Sequence, residues 1–218
     1  MSRKLLSLTA LGAASLMALT ACSGGTASSS QSSTSAAASS SSSAPSSITI
    51  ESDQGNVEIK LPVQRVASLD NRTFEVLEQW NVPLVAAPKK LIPSTVKAYN
   101  TDSVADIGMH RDPNLEALAA SNPDLIISGQ RFTRFDSQIA EMNPGVPMIN
   151  LEPRDGKPLN EELIRQVTDL GEIFGHQEDA KKLVDDFNNA LNRAKKAYDG
   201  KSTVMAVDVS GGNIGYVA

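Results

Sequence analysis

The sequence predicts an α/β fold: a Rossmann-like lobe with a mainly parallel sheet, a long helix, and the start of a second lobe. Three observations lead there. From Arg65 to Leu151, short apolar runs alternate with segments of helical period, the pattern of strand–helix–strand units around a parallel sheet. In Glu178–Tyr198, Ala180, Leu183, Val184, Phe187, Ala190, Leu191, Ala194, Ala197 and Tyr198 keep one face of a helix apolar for about 30 Å. After Gly200 the run Ser202–Val209 is strand-like again, but only a few residues follow it before Ala218. The second lobe is therefore expected to be incomplete.

The first 47 residues are of another kind. Arg3 and Lys4 precede an uncharged apolar run, Leu5–Leu19, which is too short and too soon followed by polar sequence for a stable membrane span. This is the layout of an export signal over residues 1–21. Leu19-Thr20-Ala21-Cys22 resembles a bacterial lipobox, which makes Cys22 the acylated first residue of the mature chain. Cys22 is also the single cysteine, so no internal disulfide forms and the fold rests on packing. Residues 22–47 are almost entirely Ser, Ala, Gly and Thr and bury no face. They read as a tether spanning roughly 25–30 Å as a coil and about 80 Å when extended.

Arg3 and Lys4 are the only charges before Ile48, so the net charge of −5 becomes −7 for the remaining 171 residues. An acidic head argues against a nucleic-acid partner. That length suits one lobe over 48–158, a helical segment over 159–199 and a lobe beginning at 200–218.

Within the first lobe, Ile48–Glu51 and Asn56–Lys60 alternate apolar and polar residues around the turn Asp53-Gln54-Gly55, which predicts a hairpin. Arg65–Leu69 is a strand, Asp70-Asn71 a turn and helix cap, and Arg72–Trp80 a helix. Pro83–Ala87 is the next strand. A loop follows to Thr101, with a helical turn expected at Ser94–Tyr99. Val104–Gly108 reads as a strand and Asn114–Ala120 as a short helix. Asp124–Gly129 is the clearest buried strand, followed by a helix over Phe132–Met142 and a strand over Val146–Leu151. Leu159–Phe174 is a helix stopped by Gly175. The Glu178–Tyr198 helix, acidic at its start and basic at its end, comes next. By pattern alone it is either a spine between lobes or an ordinary surface helix.

Enzyme motifs are scarce. There is neither a Gly-x-Ser-x-Gly elbow nor a Gly-x-x-x-x-Gly-Lys-Ser/Thr loop, and Gly211, Gly212 and Gly215 lack the spacing and the helix of a phosphate site. The two histidines, His110 and His176, are too few for a protein-built metal site. His176 reads as a solvated turn residue. His110 lies in a loop after a strand, where sheets bind ligands, and is read as a weaker candidate.

Residues 65–151 resemble the first lobe of the iron–siderophore substrate-binding lipoproteins of ABC importers, through Arg-Val-Ala-Ser-Leu-Asp (65–70), Val-Ala-Asp-Ile-Gly (104–108) and Asn-Leu-Glu-Ala-Leu-Ala-Ala-Ser-Asn-Pro-Asp-Leu-Ile-Ile-Ser-Gly (114–129). The resemblance continues through the long helix, which it makes an interlobe backbone, and covers a little over half of such a protein. It implies a membrane-anchored, extracytoplasmic binding protein without catalysis or cofactor, which captures a ferric siderophore between two lobes and docks on a permease. Glu116 matches the first-lobe docking glutamate. Arg131 and Gln130 follow the strand where catecholate binders carry Ser-Gly-Arg-Gln, here displaced by one residue as Ser128-Gly129-Gln130-Arg131. A guanidinium suits an anionic ferric catecholate, donating several hydrogen bonds and stacking on aromatic rings. The displacement leaves hydroxamate and mixed ligands open. Arg72 and Asn71 at the first helix, and Arg134, are further cleft candidates, with surface ion pairs as the competing reading for the arginines. Cobalamin- and haem-binding proteins of the same fold are alternatives, as are a tethered α/β enzyme of the cell envelope and a nonfunctional fragment. With the far wall of its cleft absent, the chain alone is expected to bind weakly.

Overall fold

The computed structural model describes residues 45–203, 205–210 and 213–216. The export signal, Cys22 and the tether up to residue 44 lie outside the described residues. Ser47, read above as the end of the tether, already belongs to the first strand.

β1 (Ser47–Ser52) and β2 (Gly55–Lys60) form the expected hairpin, with Ser52 opposite Gly55. Gly55 closes the turn at φ +109°, a conformation that side chains rarely adopt. There follow β3 (Val66–Ser68), α1 (Phe74–Gln79), β4 (Leu84–Ala87) and β5 (Ala105–Asp106). A small hairpin, β6 (Gly108–Met109) and β7 (Asp112–Pro113), leads to α2 (Leu115–Ala120) and β8 (Leu125–Ser128). A 3-10 helix over Gln130–Phe135 runs into α3 (Asp136–Met142), then come β9 (Met148–Asn150), α4 (Leu159–Phe174) and α5 (Gln177–Ala197). β10 (Val207–Ser210) and β11 (Asn213–Tyr216) close the described chain.

The central sheet has five strands in the order β5-β4-β3-β8-β9, every pair parallel. β3 and β8 are buried at every position because both faces of the sheet are covered. Alternate residues feed the two faces. Val66, Leu125 and Ile127 pack with Phe74, Leu77 and Trp80 of the α1 segment, Leu170 and Ile173 of α4, and Ile50 and Ile59 of the hairpin. Ala67, Leu69 and Ile126 pack with Leu118 of α2, Phe132, and Ile139 of α3. After β3 the chain builds outward to β4 and β5, then returns to β3's other side with β8. The sheet thus reverses its winding between β3 and β8, and a crevice opens outside their C-terminal ends, where open α/β sheets bind ligands.

Several boundaries differ from the sequence reading. α1 starts at Phe74, two residues late. The Asp70 carboxylate accepts the Arg72 backbone N–H (3.0 Å) while the Asp70 carbonyl accepts the Thr73 N–H (3.1 Å) and hydroxyl (2.8 Å), so a turn forms first. The Val104–Gly108 strand pairs only at Ala105–Asp106, because Gly108, at φ +74°, turns the chain into the β6–β7 hairpin. The helix expected from Phe132 begins as 3-10 winding and becomes α-helical at Asp136. The loop after β4 carries a 3-10 helix at Lys89–Leu91, while Ser94–Tyr99 forms two separate hydrogen-bonded turns, closed by the Val96 N–H on the Pro93 carbonyl (3.0 Å) and the Asn100 N–H on the Lys97 carbonyl (3.3 Å), rather than a continuous helix. Pairing after Gly200 starts at Val207; Lys201 and Ser202 belong to a turn in which the Asp199 carboxylate accepts their N–H groups (2.8 and 2.7 Å). β10 is not alone: β11 pairs with it antiparallel.

α5 packs on α4. Of its apolar face Ala180 is buried and Leu183, Val184 and Leu191 are half-buried, but Phe187 and Tyr198 remain 37% and 57% exposed. No helix among the described residues is long and apolar enough to cross a membrane.

Candidate ligand-binding site

At the switch point, β3 runs into Leu69-Asp70-Asn71 and β8, ending at Ser128, into Gly129-Gln130-Arg131. The side chain of Asp70 is fully buried. Its carboxylate accepts from the Arg72 guanidinium (Nη2 at 2.8 Å, Nε at 3.0 Å) and from Gln130 Nε2 (3.0 Å). Burial opposes the charge of Arg72, but hydrogen bonding and attraction to Asp70, with Glu152 behind, push its pKa further up. Arg72 Nη2 also reaches Glu152 Oε1 at 3.3 Å, and the same oxygen accepts the Gln130 N–H at 2.6 Å.

Gly129 makes this junction fit. A Cβ there would sit 2.9 Å from Asp70 Oδ2 and 3.0 Å from Asp70 Cγ, closer than real contacts allow. The next residue, Gln130, adopts φ +53°, rare for a residue with a side chain. Its side chain also donates to Asn71 Oδ1, and its carbonyl accepts the Thr133 hydroxyl at 2.8 Å.

Above this base lies a cavity of about 240 Å³ lined by Asn71, His110, Gln130 and Arg131, with Leu69, Leu91 and Phe132 as its apolar walls. His110 arrives on the turn of the β6–β7 hairpin. Its Nε2 lies 3.3 Å from Arg131 Nη1, its ring meets Phe132 edge-on at 6.3 Å, and its carbonyl accepts from Arg134 Nη2. Burial, then the neighbouring Arg131, Arg134 and Arg111, push its pKa below the ordinary histidine value. Arg134 lies over the Phe135 ring, 4.7 Å from its centroid. The rim carries the Arg131 guanidinium, with Arg134 and Arg111 close by His110, while the carboxylates Asp70 and Glu152 are already engaged by Arg72 and Gln130. Such a rim suits a planar, anionic, oxygen-rich ligand.

Of the residues singled out by sequence, the structure brings Asn71, Gln130 and Arg131 together in one wall. Arg72 is not part of it, because its guanidinium is turned back into Asp70 and Glu152. Glu116 is exposed in the first turn of α2. His110, named from sequence only as a weaker candidate, lines the cavity. Two contributors escaped the sequence reading: Asp70, read only as a turn residue, and Glu152, which carries no local signal. A larger groove of about 850 Å³ lies at the opposite, N-terminal ends of the strands, where Pro62, Val63, Pro83 and Phe174 surround Trp80 stacked on His176 (5.2 Å). Its walls are mainly apolar, and no convergent set of charged donors lines it.

Comparison with known proteins bears on the fold and the family. The ferric-anguibactin-binding protein FatB of Vibrio anguillarum is 33% identical over 139 residues, covering 63% of this chain and 43% of FatB. The chain thus spans less than half the length of the curated relatives it matches. Among solved structures, the siderophore-binding protein BauB, bound to a complex of two acinetobactin molecules and ferric iron, superposes with a TM-score of 0.69 at 22% identity, over 79% of this chain and 62% of BauB. The petrobactin-binding protein YclQ of Bacillus subtilis superposes equally well, at 0.69 and 19% identity, over 79% of this chain and 61% of YclQ. These superpositions carry the fold. Residues 66–218, most of the chain, also match the family described as periplasmic binding protein, and the chain belongs to that family.

Proposed function

We propose that the chain carries the ligand-binding lobe of an extracytoplasmic lipoprotein that captures a ferric siderophore and delivers it to an ABC importer, without catalysing a reaction. The observation that carries this reading is the convergence of Arg131, Gln130, Asn71 and His110 on one cavity at the switch point of the sheet. The names of FatB, BauB and YclQ support ferric siderophores as the ligand class. In this reading Arg131 donates to the anionic complex, Gln130 and Asn71 shape the floor, and ferric iron is cargo. Glu116 docks on the permease, α5 is the interlobe backbone, and Cys22 is the lipid-bearing residue that holds the protein on the extracytoplasmic face of the membrane. The test is a shift map by NMR, which reads weak as well as tight binding, with ferric tris-catecholate, ferric hydroxamate and mixed ferric complexes, and with haem and cobalamin as competitors. The reading predicts shifts at Asn71, His110, Gln130 and Arg131 with a ferric complex, and affinity about tenfold lower or worse in Arg131→Ala, since hydrogen bonds to charged groups contribute ~1.5–3 kcal/mol. Shifts at the Trp80 groove instead, or binding of haem or cobalamin but of no ferric complex, would overturn it.

A further inference from the structure

Gln130 stands in a left-handed conformation and directly precedes Arg131, so the direction in which Arg131 leaves β8 depends on something holding Gln130 there. Every hydrogen-bonding group of Gln130 that the structure pairs is held from outside its own residue. Thr133 holds the carbonyl, Asp70 and Asn71 hold the side chain, and Glu152 alone holds the N–H. Glu152 is itself fixed at both backbone ends. Its N–H donates to Asn150 Oδ1 (2.9 Å), and its carbonyl accepts Arg165 Nη2 from α4 (2.8 Å). Its carboxylate is therefore presented from a segment just after β9 whose backbone is held on both sides, and one oxygen of it meets both the Gln130 N–H and the Arg72 guanidinium. Arg72 in turn holds Asp70, which returns to the Gln130 side chain. The four residues close a ring beneath the cavity, and Glu152 is its link to β9 and α4.

We propose that Glu152 is a positioning residue for the cavity: it touches no ligand but locks the Gln130 backbone, and so sets where Arg131 is presented. The link to binding rests on the function proposed above; the lock itself does not. The geometry needs an acceptor at Oε1 for the Gln130 N–H, and it needs negative charge only for Arg72. The two requirements separate in substitution. Glu152→Gln keeps an acceptor and loses the charge, whereas Glu152→Ala loses both.

The test is amide hydrogen exchange by NMR on the full chain, read at Gln130 against Ile126 and Ile127 in the adjoining strand, with ferric tris(2,3-dihydroxybenzoate) as binding probe. In Glu152→Ala the Gln130 amide is expected to exchange at least tenfold faster and the Arg131 side-chain resonance to move, while Ile126 and Ile127 stay within twofold of wild type. In Glu152→Gln, Gln130 exchange is expected to stay within about threefold. Where the wild-type chain binds the probe, Glu152→Ala is expected to weaken binding tenfold, with Glu152→Gln in between. Unchanged Gln130 exchange in Glu152→Ala sinks the proposal. So does acceleration of Ile126 and Ile127 to the same degree, which marks a merely structural residue. A wild-type chain that ignores the probe counts against the ligand class, and the exchange pattern still decides whether Glu152 is the lock.

Discussion

Gly129 and Asp70 meet so closely across the ends of β8 and β3 that a single added carbon on Gly129 would lie 2.9 Å from Asp70 Oδ2. The carboxylate cannot swing aside freely, because Arg72 and Gln130 hold it. Gly129→Ala therefore has to move a buried, hydrogen-bonded charge. Overpacking of this kind costs ~1–3 kcal/mol, and the ring beneath the cavity opens as well. Urea denaturation is expected to show that loss together with loss of ligand-induced shifts at Gln130. Wild-type stability and shifts in Gly129→Ala would show that Asp70 is free to move.

Arg72 and Arg131 are expected to fail in different ways. Arg72 neutralises a fully buried carboxylate, so Arg72→Ala strands the Asp70 charge and destabilises by roughly 3 kcal/mol, within the range for breaking a buried pair. Arg131 is exposed and its contact is His110, so Arg131→Ala is expected to change stability by less than ~0.5 kcal/mol. Paired urea and binding measurements on the two variants check this. Equal stability losses would mean that the two guanidiniums are not divided between scaffold and cavity.

The difference between these arginines was not legible in the sequence, although the architecture was. β3 and β8 announce themselves as continuous apolar runs because both of their faces are covered. Their C-terminal ends therefore locate the crevice, and with it Asn71, Gln130 and Arg131. Arg72 sits as close to a strand end as Asn71 does. Only the turn made by Asp70 sends its guanidinium away from the cavity, and that turn is decided by hydrogen bonds to a residue that reads simply as a cap. Glu152 meets Gln130 across 22 residues because β8 and β9 are neighbours in the sheet, which no local pattern encodes. His110 reaches the cavity on a two-strand hairpin too short to show a period.

The crossing of α4 and α5 depends on Gly171. A Cβ there would lie 2.6 Å from the Ala180 Cβ and 3.1 Å from the His176 carbonyl, both on elements that cannot retreat alone. Alanine is the better helix former by ~1 kcal/mol, yet Gly171→Ala is expected to destabilise by ~1–3 kcal/mol through overpacking. Removing the opposing methyl with Ala180→Gly in the same chain should recover part of that loss. A double-mutant cycle in urea measures the coupling. Additive effects would mean that the two helices separate without cost.

Asp169 and Glu162, both on α4, give stability opposite pH slopes in nearly separate windows. Burial, opposed by Arg165, raises Asp169 from 3.8 to about 6. The native state then holds a proton that the unfolded chain has released, so this contribution is full below pH 3.8 and is lost as pH rises toward 6. Glu162 runs the other way. Its hydrogen bond from Arg154, then the Arg154 backbone N–H and Arg165, outweigh burial and lower it from 4.5 to about 2. Its contribution is present above pH 4.5 and is lost as pH falls through 2. Urea midpoints from pH 2 to 7 should therefore rise to a maximum near pH 4 and decline toward pH 6. Asp169→Asn is expected to flatten the declining side and Glu162→Gln the rising side. If Asp169→Asn leaves the slope between pH 4 and 6 untouched, the carboxyl on α4 is not the group that titrates there.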